Sequence, residues 1–301
     1  MRAPVAVRSL LFLCLLASPV VAQRDAILVS PTWLASHLKD PNLVLLHVGE
    51  REEYEHAHIP GARLVNIDAI SVSDHSGKGL MLEMPAAEKL REGLASLGIS
   101  DNSRIIVYFA KDWLTPATRV MFTLDYAGLG SRSSLLDGGM NAWTRAGSQT
   151  TSDVTTARAG NLSALKLNPI VVDAEFVRGH LGKTGYAVVD GRAASFYDGV
   201  QTGGAHDFQH KTGHIAGAKS IPFTEIADDQ VLLKSTEQLT ALFAKAGVAR
   251  GDTIIGYCHI GQQATGMLFA ARSLGFPVRL YDGSFEDWSH RDLPVETAKK
   301  P

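Results

Sequence analysis

Residues 256–265 read GYCHIGQQAT, and Cys258 is the only cysteine outside the first two dozen residues of this 301-residue chain. A lone thiol cannot close an intramolecular disulfide, nor can it supply the several cysteines of a zinc or iron–sulfur site. It is either an inert core residue or a nucleophile. Its position bears on which. The apolar run TIIGYC ends at Cys258, and a stretch of helical composition begins near Gln263. Where a strand gives way to a helix, the first helical turn leaves N–H donors unpaired and carries partial positive charge, so a thiolate there is expected to titrate below the free-cysteine value of about 8.5. Gly261 lets the loop curl so that successive amides point inward as an anion-binding nest, which would also hold a departing oxyanion. Thr265 stands where it would cap the helix or donate to the sulfur, and the polar His259, Gln262 and Gln263 predict an exposed loop. The candidate site is therefore a catalytic Cys258 with His259, Ile260, Gly261, Gln262, Gln263 and Thr265 as its active loop.

Cysteine-dependent phosphatases use the same strand–loop–helix arrangement, but they need an arginine at the position of Ala264 to clamp phosphate in bidentate fashion. The loop has none, which argues against that rival chemistry. Hydrophobic residues at 45% and charged residues at 20% describe a globular protein with real cores, and the length predicts two domains. A net charge of −2 gives no field for nucleic acid.

The chain opens MRAPVAVRSLLFLCLLASPVVAQ. Arg2 and Arg8 form a positive n-region, Leu10 to Ala17 an apolar h-region, and Val20-Val21-Ala22 a small-residue site for cleavage before Gln23. Residues 1–22 are expected to be a signal peptide carrying Cys14 away with it, leaving a periplasmic or secreted protein. No later stretch is apolar enough to span a bilayer, so no stable membrane insertion is expected after signal removal.

The remainder repeats itself. RIIVYF (104–109) matches TIIGYC (253–258), LLDGGMNAW (135–143) matches LYDGSFEDW (280–288), AHIPGA (57–62) matches GHIAGA (213–218), and LLHVGEREEY (45–54) parallels VVDGRAASFY (188–197). Four matches in one order mean a duplicated domain. Each copy alternates strand-like runs with helical stretches. In the second copy, Ser235 opens a helix with Gln238 at the capping-box position and Gly247 closes it, and another helix from about Gln263 ends at Gly275. In the first, helices are predicted near 85–97 and 116–127. This alternation specifies an α/β fold, two tandem domains each built on a mostly parallel sheet flanked by helices. The domains are placed at 26–147 and 168–298, joined by a polar linker over 148–167.

Two tandem copies, each with a (G/A)HIxGA motif, a strand-end active loop and a DGxxxxW stretch, resemble the two-domain rhodanese-type sulfurtransferases over nearly the whole mature chain. The resemblance implies that the second domain is catalytic and the first is not; the counterpart of Cys258 is Phe109 by strand alignment or Lys111 by helix alignment. It implies attack by Cys258 on the outer sulfur of thiosulfate, a cysteine persulfide, and sulfur transfer to cyanide or a thiol, with no cofactor and with small molecules as the only partners. Alternatives are 3-mercaptopyruvate as donor, or a persulfide carrier or redox-sensing module without efficient turnover. Members selective for thiosulfate often carry Arg or Lys beside the cysteine, where this chain has His259 and Ile260. The family's substrate-binding arginine falls at Phe196, and Arg192 matches an arginine more often structural. Arg192, Phe196 and Trp113 are retained as possible substrate contacts, Trp113 as an apolar wall across the domain interface. A protonated His259, or His206, His210 and Lys211 of the insertion before GHIAGA, would be the alternative source of a cation. His58 and His214 lack companion metal ligands and are read as structural, Asp190 and Arg192 as an ion pair, and Asp282-Gly283 as a turn opposite the active loop backed by Trp288.

Overall fold

The computed structural model describes residues 19–76, 78–111, 114–156, 158–205 and 208–298. Most of the expected signal peptide, with Cys14, lies outside them, as do Trp113 and His206. The expected cleavage point before Gln23 falls inside a helix, Pro19–Ile27, whose Arg24 guanidinium donates to the carbonyls of Leu233 and Lys234.

Each domain contains a five-stranded parallel sheet. The first has the order Leu28–Val29, Ser133–Leu136, Arg104–Phe109, Leu43–Val48, Arg63–Leu64. The second has the order Val171–Val172, Val278–Tyr281, Thr253–Tyr257, Tyr186–Asp190, Lys219–Ser220. The central strands are buried on both faces after their first residue, which is why they read as continuous apolar runs rather than alternating ones. The duplication extends to register: His47 pairs with Tyr108, and Asp190 pairs with Tyr257. Strand register thus makes Phe109 the counterpart of Cys258. The two HIxGA histidines are likewise used alike. His58 stacks on Tyr54 and meets that residue's carbonyl at 2.6 Å, while His214 stacks on Tyr197 and meets its carbonyl at 2.7 Å.

The helices begin and end on the expected residues. Thr236–Lys245 carries both bonds of the Ser235/Gln238 capping box, and Gly247 follows at φ 74°. Gln263–Ser273 is followed by Gly275 at φ 84°. Pro116 sits in the first turn of Thr115–Tyr126, where its missing N–H costs no helical bond.

Thr115–Tyr126 and Gln263–Ser273, counterparts in the two copies, pack against each other in one apolar core that spans both domains. At their amino ends Thr118 Oγ1 and Thr265 Oγ1 lie 3.0 Å apart. A buried polar cluster closes the same interface. Arg119 Nη1 donates to Asp282 Oδ1 at 2.9 Å and to the Gly261 carbonyl at 3.1 Å, and Nη2 donates to the Leu82 carbonyl. Met84 N–H donates to Asp282 Oδ2 at 2.6 Å. Both charges are out of water, so removing one leaves the other unpaired, at a cost of about 3–5 kcal/mol. Arg119→Ala is expected to lower the urea midpoint accordingly; an unchanged midpoint would mean that the interface does not depend on this pair.

Candidate active site

Strand Thr253–Tyr257 delivers Cys258 to the carboxyl edge of the second sheet, and helix Gln263–Ser273 departs five residues later. Between them the backbone is fixed from three sides. Gly191 N–H donates to the Tyr257 carbonyl at 2.8 Å, and Phe285 and Glu286 N–H donate to the carbonyls of Cys258 and His259, each at 3.0 Å. Cys258 N–H donates to Ser284 Oγ at 3.3 Å. Gly261 has φ +79°, and a methyl group there would stand 2.8 Å from the Asp282 carbonyl oxygen and 3.0 Å from Arg119 Nη1. Glycine is required on both counts.

The curl turns amides onto the sulfur. The backbone N–H groups of Ala264, Ile260 and Gly261 all act on Cys258 and favour its thiolate. The nest read from the sequence is present, but two expectations are corrected. Cys258 is fully buried, and none of residues 259–263 is exposed. Burial pushes the thiol up from its ordinary value, and the Asp190 carboxylate acts in the same direction; the amides offset this without reversing it. Thr265 also differs from expectation. Its hydroxyl donates to the Gln262 carbonyl at 2.6 Å rather than to sulfur, closing the first helical turn. Gln263 Oε1 is buried without a partner.

The substrate-contact residues separate. Phe196 stands edge-on to the His259 ring, with centroids 4.6 Å apart, beside the active loop. Arg192 is not available to a substrate: Nε bonds both carboxylate oxygens of Asp190, Nη2 bonds Asp190 at 2.6 Å and the Gly213 carbonyl at 2.7 Å, and the guanidinium lies 4.0 Å over the Phe285 ring. It holds the Asp190 end of its strand in place. Trp113 lies outside the described residues.

The proposed cations His259, His210 and Lys211 are corrected too, while His206 lies outside the described residues. His259 is held neutral, with a pKa of about 4, by burial and by the nearby Arg192 charge. His210, with Nδ1 at 3.5 Å from His259 Nδ1, is lowered to about 3 by burial and by neighbouring His259, Arg192 and His290. Lys211 is engaged by Asp292 at 2.6 Å and by the Leu293 carbonyl at 2.9 Å. Gly203, just before the hairpin Gly204–Ala205/Phe208–Gln209, packs so closely on His259 that a methyl would come within 2.4 Å of its Cε1. Phe196 and the neutral His210 therefore pack against the neutral His259 end of the loop.

Two residues of the site were missed by the sequence reading. Ser284, at φ +53°, anchors the Cys258 amide, and Arg119 reaches Gly261 from the other domain. The DGxxxxW repeat marked the neighbourhood of Ser284; nothing in the sequence marked Arg119.

The Rhodanese-like domain family matches residues 30–146 and 173–291, and the chain belongs to that family as a tandem of two such domains. It is a sulfurtransferase. It is 30% identical over 283 residues to the 3-mercaptopyruvate sulfurtransferase of Escherichia coli K12, covering 90% of this chain and 98% of that one. It is 29% identical to the thiosulfate sulfurtransferase of Rattus norvegicus, covering 90% and 94%. The crystal structure of YnjE superposes with a TM-score of 0.81 at 23% identity, over 91% of this chain and 68% of that one, a likeness of fold.

Neutral His259 and His210 imply that donor binding does not strengthen as pH falls from 8 to 5.5. Imidazole NMR titration is expected to show both rings neutral throughout that range, with donor KM flat. A KM that drops through the ordinary histidine range near 6.5 would return His259 to the role of cation.

Proposed function

We propose that this sulfurtransferase takes a sulfane sulfur from thiosulfate and hands it to a thiophilic acceptor through a persulfide on Cys258. The observation that carries this reading is the convergence of three backbone N–H groups on the one thiol, at the head of a helix and between two domains. The Cys258 thiolate attacks the outer sulfur of thiosulfate; the sulfur–sulfur bond breaks, and sulfite leaves with its electron pair. The amides stabilise the negative sulfur before attack and the persulfide after it. Cyanide or a thiolate then takes the outer sulfur and restores the Cys258 thiolate, so the kinetics are ping-pong. Since the thiol is enclosed, the donor enters by displacing part of the cover over the loop, and the Phe196, His210 and His259 cluster favours a donor whose reacting sulfur is its smallest end.

The similarity to the 3-mercaptopyruvate enzyme favours a second reading in which the donor is that keto acid. Among the described residues, the cations proposed for the loop are neutral or engaged elsewhere, which gives neither anionic donor a fixed counter-charge from His259, His210, Lys211 or Arg192. High KM values are expected for both. Periplasmic or secreted localisation remains part of the proposal, on the pattern of residues 1–22.

The test compares specificity constants for thiosulfate and 3-mercaptopyruvate, with cyanide as acceptor, across pH. Thiosulfate is expected to have the higher constant and to release sulfite over many turnovers. The rate should rise with pH toward the raised thiol pKa, because the deprotonated form attacks. Sulfite release that stops at one equivalent would identify a carrier or sensor instead, and a higher constant for 3-mercaptopyruvate would favour the second reading.

A further inference from the structure

Two imidazoles meet head-on beside the Cys258 loop. His210 Nδ1 and His259 Nδ1 lie 3.5 Å apart. Their ring centroids are 5.6 Å apart, close to the largest separation that such a contact permits, so each nitrogen points at the other along the line of centres. The gap is long for a hydrogen bond from an N–H group, whose usual range ends at about 3.2 Å. Yet the His210 ring, on a residue 3% exposed, has nothing better, since its Nε2 is buried without a partner.

The surroundings keep the gap clear. His210 N–H donates to the Gly203 carbonyl at 2.9 Å, which sets these two residues side by side. A methyl on Gly203 would stand 2.4 Å from His259 Cε1 and 2.6 Å from its Nδ1, and apart from His259 nothing beyond the chain neighbours comes within 3.5 Å of that point. The bare Cα therefore leaves the Nδ1 edge of His259 uncovered. Phe196 stands edge-on to His259, and the rings of Phe208 and Phe285 lie 6.0 and 6.2 Å from His210, so aromatic carbon flanks the pair. His259 is only partly buried, which leaves it open to solvent on one side.

Neutral imidazole is the ligand form of histidine, and both rings are kept neutral by burial and by the Arg192 charge. That same charge opposes a divalent ion more than a monovalent one. Among the described residues no group of three or more His, Cys, Asp or Glu side chains could hold a metal ion, so the four ligands of a structural zinc site are lacking. A closed-shell monovalent ion of the copper group needs only two ligands, placed opposite each other, and geometry of this kind is what selects one metal over another. We propose that His210 and His259 form a two-coordinate site for a soft monovalent metal ion, copper(I) or silver(I), held between their Nδ1 atoms. Two metal–imidazole bonds of about 2 Å each span about 4 Å, so the rings need only part slightly. Each ring then carries its proton on Nε2, and uptake releases none. The site borders Cys258 without drawing on its thiol and does not depend on the choice of sulfur donor.

Silver(I) nitrate titrated without chloride into the full-length Cys14→Ser, Cys258→Ser protein tests this, the serines removing both competing thiols. Imidazole 15N spectra are expected to show Nδ1 of His210 and of His259 shifting together and saturating at one equivalent, with zinc(II) at the same concentration moving neither. His210→Ala and His259→Ala should each weaken silver at least about tenfold, as the loss of one of two bonds requires. Gly203→Ala should weaken it too, by placing a methyl at the Nδ1 edge. A shift of one ring alone or of neither, a zinc response equal to that of silver, or undiminished affinity in His210→Ala would overturn the proposal; should a histidine or glycine variant fail to fold, the paired shifts in the parent protein still decide it.

Discussion

The structure turns on a contest at one sulfur atom. Enclosure at Cys258 disfavours the thiolate, and amides from Ile260, Gly261 and Ala264 favour it. Gly261 makes the curl possible, Ser284 holds the Cys258 amide, and Arg119 fixes the Gly261 carbonyl from the opposite domain. The domain interface thus helps to set the shape of the Cys258 loop.

Duplication explains why that interface exists. Two copies of one sheet meet through equivalent helices, with Thr118 against Thr265 at their heads. The frame is kept in both copies: tyrosines at 108 and 257 accept an HIxGA amide, and histidines at 58 and 214 stack on tyrosines 54 and 197. What differs lies at the strand ends. Phe109 fills apolar core where Cys258 meets amides, and His47 with Gly49 stands in place of the Asp190–Arg192 pair. One edge sets a thiol among backbone amides, the other borders an open cavity.

Much of this was legible in the sequence. Strand runs, helix caps at Ser235 and Gly247, the repeat and the place of Cys258 between a strand and a helix follow from local pattern, and local pattern is what a sequence displays. Gly261 was readable for the same reason, since a left-handed turn selects glycine. The protonation states were not readable. His259 looks like a cation beside a nucleophile until packing by Phe196, Gly203 and His210 is known, and Arg192 looks free until Asp190, Gly213 and Phe285 surround it. Exposure misled for the same reason: polar loop residues suggested an open site, whereas the other domain and a hairpin cover it. Arg119 reads as an ordinary helical arginine, because its partners are distant in sequence and come from the other copy.

The most direct test of the account is the intact mass of the purified protein after exposure to thiosulfate, followed by peptide mapping. The account predicts a gain of one sulfur atom, located on Cys258 and discharged by cyanide. No gain in mass, or a gain that persists when Cys258 is replaced by serine, would contradict it.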